Sequence, residues 1–547
     1  MKENTIFNNK YFIYTLFLLL FITGTLTFKD YGIGIDDKFH RLNGFYWLDY
    51  ILSFTNFNET KDLVKLKLVE ISDYTLPSIQ EFNKYSIIFD VPAALIELIL
   101  KLDNSKQFYE IRHFLNFIFF FIGCIYFYKL LLYRFNKTIS FFGCVLFIIT
   151  PRIYGESFYN MKDIVFLTFL VMGYYFSFKC FLSYKIKNLI ILSLISAICI
   201  QIRIIGVALP LSFLFFYFLS TLSKQSDLRN LKKIILFIII TPILLFLTWP
   251  YLWSSPLNNF LEVINNWVPS IHIFFNGKFF QNDFLPFSYI PLWILISTPV
   301  LHNVLFLIGF ILIFKRLYER LINIDKYKLS YDLWRGVKEK NDVYISLNFL
   351  ILMVLVVFLN IRLFNAWKHL YFVNFYLIYI ATFGLNNIFI FAKKKSKLKI
   401  LIIFLVLSMG FVIFKMYKYH PYQGLYFNQL TSDNYKNKFE IDFTALSAKH
   451  FFNKIFDITN QEKLVYIGTA SWTPLNRTLD IFPKEKRDSI VLVGQDFQRA
   501  DFIFSNNISE VDKTLNDKYD IPVTFNKFYE FKIDGAILYT IYKRNSQ

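Results

Sequence analysis

Long apolar runs recur along this chain of 547 residues, and they constrain its fold more than any other feature. The first, YFIYTLFLLLFITGTLTF at 11–28, approaches the roughly 20 residues that a helix needs to cross a bilayer. Similar runs continue as far as residue 415, and 55% of all residues are hydrophobic. The sequence therefore predicts an α-helical polytopic membrane protein with about eleven transmembrane helices. We place the later spans near 114–133, 138–151, 163–183, 187–205, 207–222, 232–249, 298–315, 343–360, 370–391 and 398–415.

The basic clusters between these runs indicate the orientation, because Lys and Arg concentrate in cytoplasmic loops. A cytoplasmic N-terminus places three basic stretches inside: 223–233, 315–340 and KKKSK at 393–397. The outer segments are then 30–113, 151–163, 250–297, 362–370 and everything from 416. This orientation predicts a multi-pass protein of the inner (plasma) membrane whose C-terminus is periplasmic or extracellular.

The chain divides into two predicted domains. Residues 1–415 form the transmembrane domain, with a long first outer loop at 30–113 whose apolar segment 86–102 suits a helix at the membrane interface. Residues 416–547 carry the strand-like runs KLVYIGTA, SIVLVG, DFIFS and GAILYTIY, separated by polar segments. They predict a small extracytoplasmic α/β domain. The chain shows no internal repeat of the kind from which many transporters are built.

Charge, cysteine and histidine patterns argue against several other classes of protein. The net charge of +19 lies in short loop clusters rather than on one soluble face, so we expect no nucleic acid partner. The four cysteines all fall inside apolar runs without zinc-like or disulfide-like spacing, and the histidines form no HExxH pattern. The chain has no GxxxxGKS/T loop and no GxSxG elbow, so ATP-driven transport and serine hydrolysis lack their signatures.

Two adjacent aspartates, Asp36 and Asp37, follow the first apolar run after a short glycine-containing linker. A carboxylate at the outer interface stays ionised, and it can take a proton from a hydroxyl that attacks an electrophile. Alternatively, the pair only ends a helix and marks a solvated loop, which is common where a chain leaves the membrane. Taken alone, the pair favours this second interpretation.

Positive charges at the outer ends of the predicted spans are more informative, because the orientation rule disfavours them there. They are Arg152, Lys162, Arg203, Arg362, Lys368 and His369. A cation near hydrocarbon needs a partner, and a lipid phosphate is the natural anion at that depth. Alternatively, these side chains reach lipid headgroups or pair with Glu156, Asp163 or Asp90. For the segments taken together we favour a lipid-phosphate site.

Several sequence blocks also follow one another in a distinctive order. They are IDDKFH, EIRHFLNFIFFFIGCIYFYKLL, ITPRIYGESFYNMKDIVFLTFL, WPYLW, AWKHLYFVNFYLIYIATFGL and HPYQGLYFNQL. In this order they resemble the GT-C-type membrane glycosyltransferases, specifically the bacterial relatives of the protein O-mannosyltransferases (dolichyl-phosphate-mannose-protein mannosyltransferases). The resemblance covers most of the membrane part.

The resemblance implies a GT-C-like fold and inverting transfer of a sugar from a polyprenyl-phosphate donor to an acceptor hydroxyl on the outer face. Either Asp36 or Asp37 would be the general base. The other residues that it implicates at the donor, the acceptor or the lipid phosphate are Glu156, Asn160, Lys162, Asp163, Lys368 and His369, with Arg203 and Arg362 as further candidates. No nucleotide diphosphate leaves, so no metal cofactor is required, although a divalent metal is compatible with the reaction.

We therefore expect a glycosyltransferase whose partners are a polyprenyl-phosphate-linked sugar, the lipid bilayer, and an acceptor protein, lipid or glycan. One alternative is a lipid-linked sugar transporter or flippase, which would need charged groups within the spans and a path open to both sides. The other is a polysaccharide polymerase or ligase, which would use the same outer cations but would extend a chain.

Overall fold

The computed structural model describes residues 10–71, 86–222, 230–265, 270–322, 334–358, 361–459, 464–506, 508 and 517–545. A few sequence predictions fall partly outside these ranges. They are residues 72–85 of the first outer loop, 266–269 of the outer segment 250–297, the basic stretches at 223–229 and 323–333, the last two residues of the span 343–360, and the first residue of the run KLVYIGTA.

The N-terminal half of the chain is helical. Its helices are α1 (Lys10–Thr27), α2 (Asp37–Leu52), α3 (Asn58–Ile71), α4 (Ile87–Ile99), α5 (Ser105–Leu132), α6 (Lys137–Ile148), α7 (Pro151–Tyr159), α8 (Asp163–Leu182), α9 (Ile186–Ile202), α10 (Ala208–Leu222) and α11 (Leu231–Thr248). Helix α4 occupies the segment predicted at 86–102. The Ser86 hydroxyl begins this helix by accepting a hydrogen bond from the Ile88 N–H at 3.1 Å.

A short hairpin interrupts the helices of the next part. The elements are α12 (Pro256–Asn265), β1 (His272–Phe275), β2 (Lys278–Gln281), α13 (Tyr289–Ser297), α14 (Val300–Ile322), α15 (Gly336–Phe358), α16 (Val373–Lys394) and α17 (Leu398–Tyr419). Strands β1 and β2 pair antiparallel across Asn276 and Gly277, whose φ angles are 51° and 79°. An Asn-Gly pair is the strongest short signal for such a turn. The sequence analysis did not predict this hairpin.

Eight helices among the described residues are long and apolar enough to cross a membrane, judged by length and composition. They are α5, α8, α10 with the turn before it, α11, α14, α15, α16 and α17. Helices α6 and α7 meet at 61° and count as a ninth span if they form one broken span. The two shorter apolar helices are Tyr11–Thr27 and Ile186–Ile202. The predicted helical membrane fold is confirmed, and the count of eleven stays a prediction.

The C-terminal part forms a five-stranded sheet flanked by short helices, which confirms the predicted α/β domain. Its elements are α18 (Asp433–Lys436), α19 (Ala448–Ile458), β3 (Val465–Thr469), α20 (Leu475–Leu479), α21 (Lys484–Asp488), β4 (Ile490–Gly494), β5 (Phe502–Ser505), β6 (Phe525–Ile533) and β7 (Ala536–Arg544). The strand order is β4-β3-β5-β7-β6, with β3 parallel to β4 and β5 and the remaining pairs antiparallel. Strands β3, β4, β5 and β7 were predicted, and β6 was not.

A buried ionic cluster positions the beginning of α2, where the two aspartates lie. Glu97 of α4 lies between Arg41 of α2 and Arg112 of α5, with nitrogen–oxygen distances of 2.6 Å to Arg41 and 3.6 Å to Arg112. All three side chains are buried. A buried charge is stable only with a partner, so this cluster fixes α2 against the two helices packed beside it.

Candidate active site

A cavity of about 380 Å³ opens at the end of the helical bundle that faces the C-terminal domain. Several parts of the chain reach it, including Ile271 just before β1. The others include the loop before α2, the turn between α7 and α8, the loops that follow α9 and precede α16, and the C-terminal domain. The residues with polar side chains in its wall are Asp36, His40, Tyr159, Asn160, Lys162, Asp163, Arg203, Asn365, Lys368 and His369, together with Trp472. Residues that are far apart in sequence thus share one site.

The two adjacent aspartates have different surroundings. Asp37 is the first residue of α2 and is fully buried. Its carboxylate accepts a hydrogen bond from the Gly34 N–H at 2.9 Å and contacts the His113 ring nitrogen at 3.2 Å. Asp36, one residue earlier, lines the cavity with its side chain 48% exposed. The fold therefore gives Asp37 a structural environment and leaves Asp36 open to a ligand.

Asp36 forms an ion pair with Lys368, whose ammonium nitrogen lies 2.5 Å from the carboxylate. Enclosure by the protein opposes ionisation of Asp36, but the Lys368 charge outweighs it and lowers the pKa of Asp36 to about 2. Burial alone would lower the pKa of Lys368, but the carboxylate raises it above its ordinary value. Both groups are charged at neutral pH.

The turn between α7 and α8 presents Lys162 to the cavity. Asn160 fixes this turn, because its side-chain oxygen accepts from the Asp163 N–H at 3.0 Å and its amide donates to the Asp163 carboxylate at 3.1 Å. The same carboxylate pairs with Arg203, whose Nε lies 2.5 Å from it. Burial, reinforced by the Arg203 charge, lowers the pKa of Lys162 to about 7. Near neutral pH, Lys162 can therefore take up a proton when an anion binds beside it.

An apolar groove of about 270 Å³ adjoins the cavity. Lys162, Arg203 and His369 line both spaces, so these residues mark the junction. The rest of the groove is mainly apolar and includes Ile200, Ile202, Ile204, Ile205, Trp249, Val263, Ile264, Val356, Ile361, Leu363, Leu370 and Phe372. Arg362 also lines it and forms an ion pair with Asp283. Burial, reinforced by neighbouring cations, lowers the pKa of His369 well below its ordinary value, so that ring is neutral.

Two candidate residues lie behind the cavity wall rather than in it. Arg152 is 1% exposed, lies over the Trp293 ring at 5.3 Å and donates to the Tyr426 carbonyl at 3.3 Å. Glu156 is also 1% exposed, and it accepts hydrogen bonds from the Tyr371 hydroxyl at 3.0 Å and from Asn160 at 2.9 Å. Glu156 thus reaches the cavity only through the turn that Asn160 fixes.

The sequence analysis missed His40 and Trp472, which both line the cavity. The His40 ring nitrogen lies 3.0 Å from the Asp90 carboxylate. Its spacing of four residues from Asp36 was an available signal, because residues four apart lie on one face of a helix. Trp472 comes from the C-terminal domain, and no local pattern predicts its contact with the membrane part. Among the described residues, no group of three His, Cys, Asp or Glu side chains is placed to hold a metal ion.

A family model described as dolichyl-phosphate-mannose-protein mannosyltransferase matches residues 91–253 of this chain. Over residues 91–253 the chain is similar to these mannosyltransferases. The match confirms the resemblance for the sequence blocks that lie within 91–253, and the matched family is one of glycosyltransferases. The matched region contains Asn160, Lys162, Asp163 and Arg203, whereas Asp36 lies before it and Lys368 after it. No curated protein matches the chain.

Two solved structures are similar to this one at low sequence identity. The oligosaccharyltransferase of Archaeoglobus fulgidus, in complex with Zn and sulfate, has 12% identity and a TM-score of 0.44 over 83% of this chain. This chain spans 64% of the length of that enzyme. The ArnT protein of Cupriavidus metallidurans, bound to undecaprenyl phosphate, has 9% identity and a TM-score of 0.44, with 97% of each chain covered.

Proposed function

We propose that this protein is an inverting membrane glycosyltransferase that moves a sugar from a polyprenyl-phosphate donor to an acceptor hydroxyl. One observation carries the proposal. Asp36, Lys162, Arg203 and Lys368 line a single cavity, in which Lys368 pairs with Asp36, and Lys162 and Arg203 also line the adjoining apolar groove. A sugar joined to a lipid phosphate has the matching order of parts, with a polar ring, an anion and an apolar chain.

The donor would lie across the junction of the cavity and the groove. The prenyl chain would occupy the groove, whose apolar walls remove it from water. The phosphate would then contact Lys162 and Arg203, and the sugar would reach towards Asp36. Arg binds phosphate oxygens in pairs and Lys adds a compact charge, so the two side chains suit an anion held at a fixed position.

Transfer would take place as a single displacement. The acceptor oxygen forms a bond to the anomeric carbon while the bond from that carbon to the phosphate oxygen breaks, and the hydroxyl proton passes to the Asp36 carboxylate. Negative charge grows on the departing phosphate, so fixed cations beside it stabilise the transition state more than the bound donor.

Lys368 would couple donor binding to the basicity of Asp36. In the structure its ammonium group pairs with Asp36, which makes that carboxylate a weak base. A donor phosphate would compete for the same ammonium group. Movement of Lys368 towards the phosphate would raise the pKa of Asp36, and the base would become effective only once the donor is bound.

Donor binding should weaken as the pH rises through about 7, the pKa of Lys162. Below this value Lys162 is charged and attracts the phosphate; above it the neutral amine must take up a proton for the same contact. Binding raises the pKa of Lys162, so we expect the affinity to fall by up to about tenfold per pH unit until that higher pKa is reached. Isothermal titration with a polyprenyl-phosphate sugar, a diester that does not itself titrate here, would measure this slope.

The control for this slope is Lys162→Arg, which keeps its charge throughout the range. Burial opposes the charged form of His40, but the Asp90 carboxylate raises the pKa of His40 above its ordinary value. The slope that remains in Lys162→Arg therefore measures the other groups that titrate near the site, His40 among them. An equal slope in the native and Lys162→Arg proteins would contradict the assignment of Lys162.

We also propose that the cavity opens on the outer side of the inner (plasma) membrane, with the membrane domain at 1–415 and the soluble domain at 416–547. The orientation is tested by introducing a cysteine at Val523, which is 95% exposed in the soluble domain, or at Ser396, between α16 and α17. The four native cysteines are buried and give little background. A membrane-impermeant maleimide should label Val523→Cys in intact cells and Ser396→Cys only after permeabilisation. The reverse pattern would invert the proposed topology.

The function itself is tested by reconstitution into liposomes with a panel of polyprenyl-phosphate sugars. We expect release of polyprenyl phosphate from at least one donor. The sugar should appear either on an acceptor or, where water is the acceptor, as the free sugar. Movement of the intact donor between leaflets without release of phosphate would instead identify a flippase. Repeated addition to one growing product would identify a polymerase.

A further inference from the structure

The sheet of the C-terminal domain has a crevice at its carboxyl edge. Strands β3 and β5 are parallel neighbours, but the chain leaves β3 towards β4 on one side and leaves β5 towards β6 and β7 on the other. The two connections diverge, and the loops that follow the carboxyl ends of β3 and β5 form a crevice wall that carries Trp472 and Ile508. Such topological switch points are where open α/β sheets bind their ligands.

This crevice faces the cavity that contains Asp36. Trp472 lies three residues after the end of β3 and Ile508 three residues after the end of β5, and both line that cavity together with Phe443. The Trp472 side chain is among the exposed aromatic groups of the domain, at 51%. The domain thus forms a wall of the cavity with a broad apolar ring accessible to a ligand.

Hydrogen bonds hold the loop that carries Trp472. The Ser471 hydroxyl donates to the Asn506 side-chain oxygen at 2.5 Å, and the Asn506 amide donates to the Thr473 hydroxyl at 3.1 Å. All three side chains are buried. These bonds join the loop after β3 to the loop after β5, so the backbone that carries the indole ring is held in place before any ligand arrives.

The domain is also attached directly to the residues beside Asp36. The Arg477 guanidinium donates to the Ile35 carbonyl, and the Ile35 N–H donates to the Thr444 carbonyl at 3.0 Å. These two hydrogen bonds therefore connect the domain that carries the crevice directly to the residue beside the proposed base. A molecule held against Trp472 would have a fixed position relative to the Asp36 carboxylate.

We propose that this crevice is the acceptor subsite and that it takes a sugar ring, with the apolar C–H face of the ring on Trp472 and one hydroxyl directed to Asp36. The inference rests on the proposed function and names the class of its acceptor. The lining residues that the C-terminal domain contributes are Phe443, Trp472 and Ile508, whose one polar side-chain group is the indole N–H of Trp472. A sugar ring matches this wall because one face presents C–H groups while its edge carries hydroxyls.

An extended peptide matches the crevice less well. Its backbone would bring N–H and C=O groups that need partners. The polar side chains on the two loops of the crevice, those of Ser471, Thr473 and Asn506, are buried and bonded to one another. A carbohydrate acceptor is thus favoured over a protein segment.

The test measures sugar transfer by the full chain in liposomes. It compares two kinds of acceptor, a panel of methyl glycosides and a Ser- and Thr-containing peptide. Trp472→Ala should raise the KM for the accepted glycoside at least about tenfold, as expected for loss of an aromatic contact, with a smaller change in kcat. Trp472→Phe keeps a ring and should recover most of the affinity. The matched control is Phe528→Ala, an aromatic residue of the same domain that is 46% exposed and outside the cavity, and its KM should equal that of the native protein.

Hydrolysis of the donor by water, measured without acceptor, separates failure of this inference from failure of the proposed function. Hydrolysis by the native chain together with an unchanged glycoside KM in Trp472→Ala would overturn the acceptor subsite alone. Transfer to the peptide but to no glycoside would overturn the sugar class. If no donor is hydrolysed and no acceptor is glycosylated, the proposed function fails, and saturation-transfer NMR still decides whether glycosides bind. A glycoside signal that is equal in the native and Trp472→Ala proteins, or absent from both, would contradict the assignment of the crevice as an acceptor subsite.

Discussion

Replacement of Asp36 by asparagine is expected to slow sugar transfer by roughly 10²–10⁴-fold, the usual contribution of a general base. The amide keeps the size of the side chain but cannot take the proton of the attacking hydroxyl. The cations that would hold the lipid phosphate stay in place, so the donor should still bind. Release of polyprenyl phosphate in single turnovers measures the rate, and titration with the donor measures the affinity.

Two other aspartates provide controls for this result. Asp30 lies six residues earlier, is half exposed, pairs with His420 and does not line the cavity, so Asp30→Asn should transfer sugar at the native rate. Asp37→Asn weakens a buried contact with His113, so its main effect should be a lower thermal unfolding midpoint in detergent. The assignment of Asp36 as the base would be reversed if Asp36→Asn transferred sugar at the native rate while a fully folded Asp37→Asn lost most of its kcat.

Replacement of Lys368 by methionine should reduce kcat by about 10²–10³-fold, as removal of a single oxyanion-stabilising donor does in other enzymes. Methionine fills a similar volume without the charge that would stabilise the departing phosphate. The matched control is Lys527→Met on strand β6, where the lysine is 53% exposed and far from the lining of the cavity. A native kcat in Lys368→Met would contradict the proposed role.

The pH profile of Lys368→Met distinguishes a catalytic from a structural effect. Lys368 is the main cause that lowers the pKa of Asp36 to about 2, so its removal should raise that pKa. A carboxylate with a higher pKa stays protonated to a higher pH, and the remaining activity should therefore disappear at a higher pH on acidification. Loss of packing alone would lower the activity without changing the pH at which it disappears on acidification.

The fold could be predicted where a local pattern determines it. Apolar runs of sufficient length predict the spans, and four short strand-like runs between polar segments predict β3, β4, β5 and β7. Strand β6 was missed because its run, FNKFYEFKI, is too polar to indicate a strand. The Asp534-Gly535 pair that follows it was the available signal, since both residues have positive φ and connect β6 to β7 as a two-residue turn.

The site could be predicted only in part. Cations at the outer ends of spans pointed to Lys162, Arg203 and Lys368, because their placement conflicts with the orientation rule. Sequence could not separate Asp36 from Asp37, since the direction of each side chain depends on the turn at Gly34 and on the distant His113. The aromatic wall provided by the C-terminal domain depends on packing between segments remote in the chain, which no local pattern contains.

The anomeric configuration of the product tests the central claim most directly. Attack from the side of Asp36 and departure of the phosphate towards the cations form a single displacement, which inverts the anomeric carbon. Proton NMR of the sugar product from a donor of known configuration should therefore show the opposite anomer, formed by the native chain and almost absent with Asp36→Asn. A product of retained configuration would contradict a single displacement across this cavity.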